Sequence, residues 1–423
     1  MHIPKTGGTS FSKFLERNVF FDDILKIHFQ EEIAKFPLLN NHKLIRGHFW
    51  SHKIFFEKVE KFKLTTFLRD PYKRYLSQLK HIAALNYLAK GEKLLADNLY
   101  SKIILRDKFF PIKNFERFSD DFVLHESKKH LDDFFFVGIS EKYNESTYLM
   151  SIFLNSRPIN LTRELVSNNN LYKYKNQGND NVIAQNWKIS NSIDDAIYQY
   201  SLKLFDKKKN IILSQFNKEK IDLDIYENFL DINYKFCGKD YISKVHPNEE
   251  EKVLFKYAYI NYLKNFNNND NKNNQFIISG KSIINGEGWH RREYIHFNSN
   301  PTAVRNFIPY YWSGPKKISD LHIPNWIHGN INLEIYIRSI NTKIKATDII
   351  IKLNGSTLKS KIEQDESYSG IKLLLKGSAE KSSLPFSILT FEVPDVQLIS
   401  EIHNNNDDRL VGFAFDKILI TKN

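Results

Sequence analysis

The residues best suited to chemistry open the chain. Lys5-Thr6-Gly7-Gly8-Thr9-Ser10 sets one cation, two glycines and three hydroxyls ahead of Phe11, Phe14, Leu15 and Val19, whose spacing predicts a helix. Amides at a helix N-terminus point outward unpaired, the helix dipole adds positive charge, and glycine lets backbone approach a ligand closely. The stretch reads as an anion cradle, with phosphate as its natural guest. A second set follows in Arg69-Asp70-Pro71, Arg74 and Ser77. The first stretch does not have the order of an ATP or GTP loop, in which lysine follows the last glycine; here Lys5 precedes Gly7 and Gly8. Taken singly, Lys-Thr-Gly-Gly also suits an ordinary turn, and Arg-Asp-Pro an ordinary capped helix start.

Strands and helices must hold these residues. Leu64-Thr65-Thr66-Phe67-Leu68 predicts a strand that ends at Arg69. Asp70 is then an N-cap, Pro71 the first helical residue, and Tyr75, Leu76, Leu79 and Ala83 continue an apolar face. Ser77 falls about 9 Å along that helix. Residues 20–41 read as mixed and partly helical, and 42–47 as a short strand with His48 at its carboxyl edge. The apolar run 134–139 predicts a strand buried on both faces, followed by a helix over 145–153. This alternation implies a parallel sheet with ligands at the carboxyl ends of its strands, where all the singled-out residues lie.

Residues 168–181 read as a loop, 193–205 as a helix, and 217–266 as mainly helical with Val253, Leu254, Tyr257 and Ala258 on one face. The Asn-rich stretch 267–274 cannot build a core and marks a domain boundary. Beyond it the apolar period becomes two: Ile331, Leu333, Ile335 and Ile337 alternate with polar residues, and Ile349, Ile351 and Leu353 repeat the pattern. Turn signals at Asn354-Gly355, Pro385 and Pro394 separate further strands, which predicts an antiparallel β-sandwich. Trp289 and Trp312 suit either stacking on sugar rings or filling its core.

With 423 residues, the chain has length for two or three domains. The net charge of +12 favours polyanions, whether donor phosphates, an acidic glycan or an anionic membrane, although a composition bias spread over solvated faces gives the same sum. No basic block interleaved with aromatics suggests a nucleic-acid groove. The single cysteine, Cys237, excludes an internal disulfide framework and argues against a cysteine zinc site. Neither an apolar run of membrane-spanning length nor a signal-peptide core is present, so the expectation is a cytoplasmic protein, with peripheral contact at the inner face of a membrane left open.

Pro4-Lys5-Thr6-Gly7-Gly8-Thr9-Ser10 resembles the 5′-phosphosulfate loop of sulfotransferases that use 3′-phosphoadenosine-5′-phosphosulfate (PAPS). Phe67-Leu68-Arg69-Asp70-Pro71 with Arg74 and Ser77 resembles their 3′-phosphate motif, and Phe136-Val137-Gly138-Ile139-Ser140-Glu141 a third family segment. The likeness is to the glycan-modifying branch, which includes heparan and chondroitin uronyl 2-O-sulfotransferases and bacterial relatives. It covers residues 1–216 and implies a P-loop-like α/β sulfotransferase domain there. A helical extension and linker over 217–275 and an all-β sandwich over 276–423, suited to carbohydrate, complete the expected architecture. In that family a buried strand precedes the phosphosulfate loop, whereas only Met1 precedes His2 here, so a central strand is expected upstream of this start.

The resemblance implies roles. Lys5 would stabilise the bridging oxygen as the S–O bond breaks. Thr6, Gly7, Gly8, Thr9 and Ser10 would hold the 5′-phosphate through amides and hydroxyls, while Arg69 and Ser77 would bind the 3′-phosphate. Arg74 would either assist or lie on the surface. His48 matches the family's catalytic base, with Arg46 where those enzymes carry a second histidine; Arg46 would instead suit an acceptor carboxylate. A His48–His52 metal pair lacks a third ligand, and the donor chemistry needs no metal. The acceptor would be a hydroxyl of a glycan or polysaccharide. Two other classes fit less well: a P-loop nucleotide kinase, disfavoured by the placement of Lys5, and a non-catalytic glycan-binding protein.

Overall fold

The computed structural model describes residues 3, 6–19, 23–27, 43–47, 62–84, 98–105, 117–156, 158, 187, 191–218, 248–266, 274–284, 286, 288–290, 293–296, 307–363, 365, 367–384, 386–403 and 407–423. Helix α1 (Gly8–Arg17) starts directly after Gly7, whose φ of 83° lies in the left-handed region open to glycine. Its Phe11, Phe14 and Leu15 are buried, as their spacing requires. Two parallel strand pairs follow: β1 (Ile24–Ile27) with β2 (Leu44–Gly47), and β3 (Thr65–Leu68) with β4 (Phe136–Ile139). β1 is a strand within the stretch read as mixed and partly helical, most of which lies outside the described residues; four residues are too few to declare a period of two. The two pairs are not hydrogen-bonded to each other among the described residues, so the single parallel sheet expected is not seen there. α1 packs against both β2 and β3 and so spans them.

Among the described residues this half continues with α2 (Pro71–Ala84), α3 (Leu99–Ile104), α4 (Asp120–Asp132), α5 (Tyr143–Leu154) and α6 (Ser192–Lys218). α4 starts where Ser119 accepts the Phe122 amide, an N-cap with Asp120 and Asp121 in the first turn to suit the dipole. At 27 residues α6 far exceeds the helix expected over 193–205, and it runs past position 216. Strand β4 is buried along its whole length, between α5 and α6. Helix α7 (Glu249–Phe266) packs on α5, and its Leu254, Phe255, Ala258 and Tyr259 join the same core. Its burial is wider than the stripe expected, and Val253 is only half-buried.

The second half is antiparallel. One sheet has the order β11 (Ser356–Thr357), β10 (Ile350–Leu353), β14 (Phe386–Glu392), β8 (Ile318–Pro324). The other runs β12 (Lys359–Glu363), β13 (Ile371–Ala379), β9 (Gly329–Ile340), β17 (Phe413–Lys422), β7 (Phe307–Trp312), β6 (Glu293–His296), with β5 (Gln275–Ser279) paired to β17. β15 (Gln397–Leu398) and β16 (Leu410–Val411) form a small pair of their own. Leu333, Ile335 and Ile337 of one sheet meet Ile351, Leu389 and Phe391 of the other in a second apolar core, which is the sandwich that the alternation predicts. Trp289 and Trp312 lie within the structure, at 8% and 2% exposure. The Trp289 indole N–H donates to the Asp320 carbonyl at 2.9 Å and its ring meets Phe391, Phe413 and Phe415 edge-on. Neither tryptophan presents a platform for sugar. Phe386, on the outward side of β14, packs into the first core and so links the halves. No helix among the described residues is long and apolar enough to cross a membrane.

Candidate functional site

Because β3 and β4 are parallel with Leu68 opposite Ile139, their carboxyl ends lie side by side. Arg69-Asp70 and Ser140-Glu141 therefore leave the sheet together. Ser140 Oγ donates to the Thr6 carbonyl. Glu141 Oε1 accepts the Asp70 amide at 3.3 Å and lies 4.0 Å from Arg69 Nε, while its Oε2 accepts the Tyr198 hydroxyl at 3.0 Å. Two adjacent residues, with α-carbons about 3.8 Å apart, thus hold the glycine turn with one and the arginine turn with the other. The two motifs singled out in the sequence meet here.

On the glycine side, a Cβ at Gly7 would come within 3.3 Å of Ser140 Oγ besides demanding the left-handed φ. Gly8, Thr9 and Ser10 make the first turn of α1, which has no acidic residue and no side-chain cap. Nothing of negative charge in that turn opposes an incoming anion. The Thr6 hydroxyl is different from expectation: it is fully buried and donates to the Ile3 carbonyl at 2.8 Å, so it shapes the turn and does not face a ligand. Arg46 is also corrected, since its guanidinium pairs with Glu16 and ties β2 to α1, which leaves it committed instead of free for an acceptor carboxylate. Lys5, His48 and His52 lie outside the described residues.

On the arginine side, the Tyr100 hydroxyl accepts the Arg69 amide at 3.3 Å and donates to the Arg69 carbonyl at 2.6 Å. Burial pushes this phenol well above its ordinary pKa, so it stays a donor at any physiological pH. Asp70 caps α2 as predicted, its Oδ1 accepting the Lys73 amide at 2.9 Å. Ser77 is half-buried in the second turn. Arg74 is neither on the surface nor open to a ligand: it is 1% exposed, its guanidinium lies 5.8 Å from the Tyr100 ring centre, and Nε and Nη1 have no hydrogen-bond partner among the described residues. A buried guanidinium so placed adds positive potential to this corner, with the Asp194 carboxyl as an electrostatic partner.

Sequence reading missed the support behind Arg69. Asp194, at the start of α6, accepts the amides of Tyr100 at 2.9 Å and Ser101 at 3.2 Å, so it caps α3 from another element. Asn98 and Asn191 brace the same junction, Asn191 accepting the Asn98 amide at 2.8 Å. Burial pushes the Asp194 carboxyl up to about 6, against the opposing pull of those two amides and Arg74. The chain from Asp194 through Tyr100 to Arg69 spans separations that no local pattern encodes.

No protein-family model matches the chain. No curated protein matches it either.

Proposed function

We propose that the chain is a PAPS-dependent carbohydrate O-sulfotransferase whose donor lies across the Ser140–Glu141 bridge, its 5′-phosphosulfate end toward residues 5–10 and its 3′-phosphate toward Arg69 and Ser77. The observation that carries this reading is that one dipeptide contacts both motifs, as recognition of a single doubly phosphorylated nucleotide requires. The bond from Ser140, just past the carboxyl end of the parallel strand β4, to the Thr6 carbonyl agrees with it.

PAPS supplies an activated sulfuryl group on a phosphate leaving group, and transfer to a hydroxyl is mostly positioning and electrostatics. The amides at the start of α1 hold the 5′-phosphate, and Lys5 stabilises the charge that grows on the leaving oxygen. Arg69, its backbone fixed by Tyr100, recognises the 3′-phosphate that separates this donor from ATP. His48 takes the acceptor proton. The setting proposed is the cytoplasm.

Isothermal titration of the full chain with adenosine 3′,5′-bisphosphate against ATP tests the donor, and transfer of radiosulfate from PAPS to a panel of polysaccharides tests the reaction. Selective binding of the bisphosphate together with a labelled polysaccharide is the expected result. Tighter ATP binding favours a kinase, and bisphosphate binding without label on any acceptor leaves the transfer assignment refuted.

A further inference from the structure

The outer face of the seven-member sheet is basic in a way that fold maintenance does not explain. Lys359 on β12 stands directly opposite Lys376 on β13, and Lys361 follows two residues along on the same face. All three are exposed. Like charges placed directly across a ladder repel and cost stability, and among the described residues no carboxylate neutralises these three or Lys417. β12 is an edge strand, and edge lysines deter strand-to-strand aggregation. That accounts for Lys359 and Lys361 but not for Lys376, which sits on an interior strand.

The basic track continues inward. Cross-strand register puts Lys372 and Lys417 on either side of Tyr336, with ammonium groups 5.5 and 5.0 Å from its ring centre. Lys372 is balanced by Glu334 and Glu363; the other four lysines on this face are not. Between the two lysine rows, Leu374 and Leu419 flank Glu334 in the register. Four residues of strand separate Lys376 from Lys372, about 13 Å, so the positive charge forms a strip and not a point. Such a strip suits a linear polyanion that also has apolar ring faces.

We infer that this sheet face, centred on Lys359, Lys361, Lys376 and Lys417, binds an acidic polysaccharide. The surface stands on the sandwich alone and does not depend on the donor site, although in a sulfotransferase it would hold the acceptor chain near its modifying half.

The test is titration of the full chain with a heparin hexasaccharide over a salt series from about 50 to 200 mM, where counterion release makes affinity fall with salt. The triple variant K359Q/K361Q/K376Q is expected to bind at least about tenfold more weakly with a salt slope smaller by about two to three. K417Q gives a smaller loss, and K381Q, at an exposed loop position, matches wild type. Binding of adenosine 3′,5′-bisphosphate stays unchanged in all of them and reports separately on the donor site. The inference is overturned by a wild type that does not bind the hexasaccharide, by a triple variant that binds as wild type does, or by equal binding of uncharged dextran. Equal binding of a DNA oligonucleotide or anionic vesicles with the same lysine dependence also overturns it.

Discussion

The two halves of the chain bury polar groups to different extents. In the first, polar side chains are committed to fixed partners: Thr6 to Ile3 and Asp194 to the start of α3 within the core, the half-buried Ser140 to Thr6, and the exposed Glu141 to Asp70 and Tyr198. In the second, fewer polar side chains are buried, Asn341 and Ser387 among them, the core shared by the two sheets is apolar, and polar residues alternate to the outside along β9. Burying a polar group costs free energy unless it is bonded, so a half that buries many of them gives up stability for fixed geometry. A half with an apolar core takes its stability from burial and leaves its surface free to carry charge. The difference separates a site that must be rigid from a surface that need only be sticky.

The largest expected effect breaks the second half alone. Trp289→Ala removes a ring packed against Phe391, Phe413 and Phe415 and is expected to cost about 3–5 kcal/mol. Urea unfolding followed by circular dichroism checks the loss. Nucleotide binding below the transition stays at the wild-type level if the halves are as distinct as their cores indicate; its disappearance would mean that the contact at Phe386 makes them one cooperative unit.

Lys5→Ala tests the first half. It is expected to lower the sulfuryl-transfer rate about 10²- to 10³-fold, as removal of a preorganised charge stabiliser does. Arg69→Ala chiefly weakens donor binding, read as a raised KM for PAPS. Equal kinetics for Arg69→Ala and wild type would remove the 3′-phosphate assignment.

A pH series separates the halves again. The Asp194 carboxyl is raised to about 6 in the folded state, so the folded protein holds this proton more tightly than the unfolded chain. Its contribution favours folding below the unfolded value near 4 and is lost as pH rises to about 6, a swing on the order of 3 kcal/mol. Asp194→Asn is expected to lower stability by about 1–3 kcal/mol, because the Tyr100 and Ser101 amides bond to different carboxylate oxygens and one of these becomes a donor NH2 group, while removing this part of the slope. Urea midpoints at intervals between pH 4 and 7 measure both effects, and an undiminished slope in the variant would show that Asp194 is not its source.

What was legible in the sequence follows the same division. The sandwich strands were readable because Ile331, Leu333, Ile335 and Ile337 repeat at the period of the pleat, and the cap at Asp70 because capping is local. β1 was not, being four residues within a mixed stretch. The extent of α6 was missed because its burial is set by β4 and α4, not by its own pattern. The pairing of Lys359 with Lys376 depends on register, and the support of Arg69 by Tyr100 and Asp194 on contacts between distant segments. The motifs stand out in the sequence, whereas the distant groups that support them do not.

The smallest effects discriminate most finely, because they ask whether side chains act together. Ser140→Ala and Glu141→Gln each release one of the two turns, and each is expected to weaken binding of adenosine 3′,5′-bisphosphate about threefold to tenfold, the worth of one hydrogen bond. Both changes disturb a single bridge, so the double variant should lose less than the two losses combined, with a coupling of about 0.5–1 kcal/mol. The exposed lysines of the sheet face share no partner. Lys361→Gln and Lys417→Gln, placed on strands separated by β13 and β9, should therefore add in their effect on hexasaccharide affinity. Additive losses at 140 and 141 would mean that the two turns bind separate ligands, and the single-nucleotide reading would fall with that result.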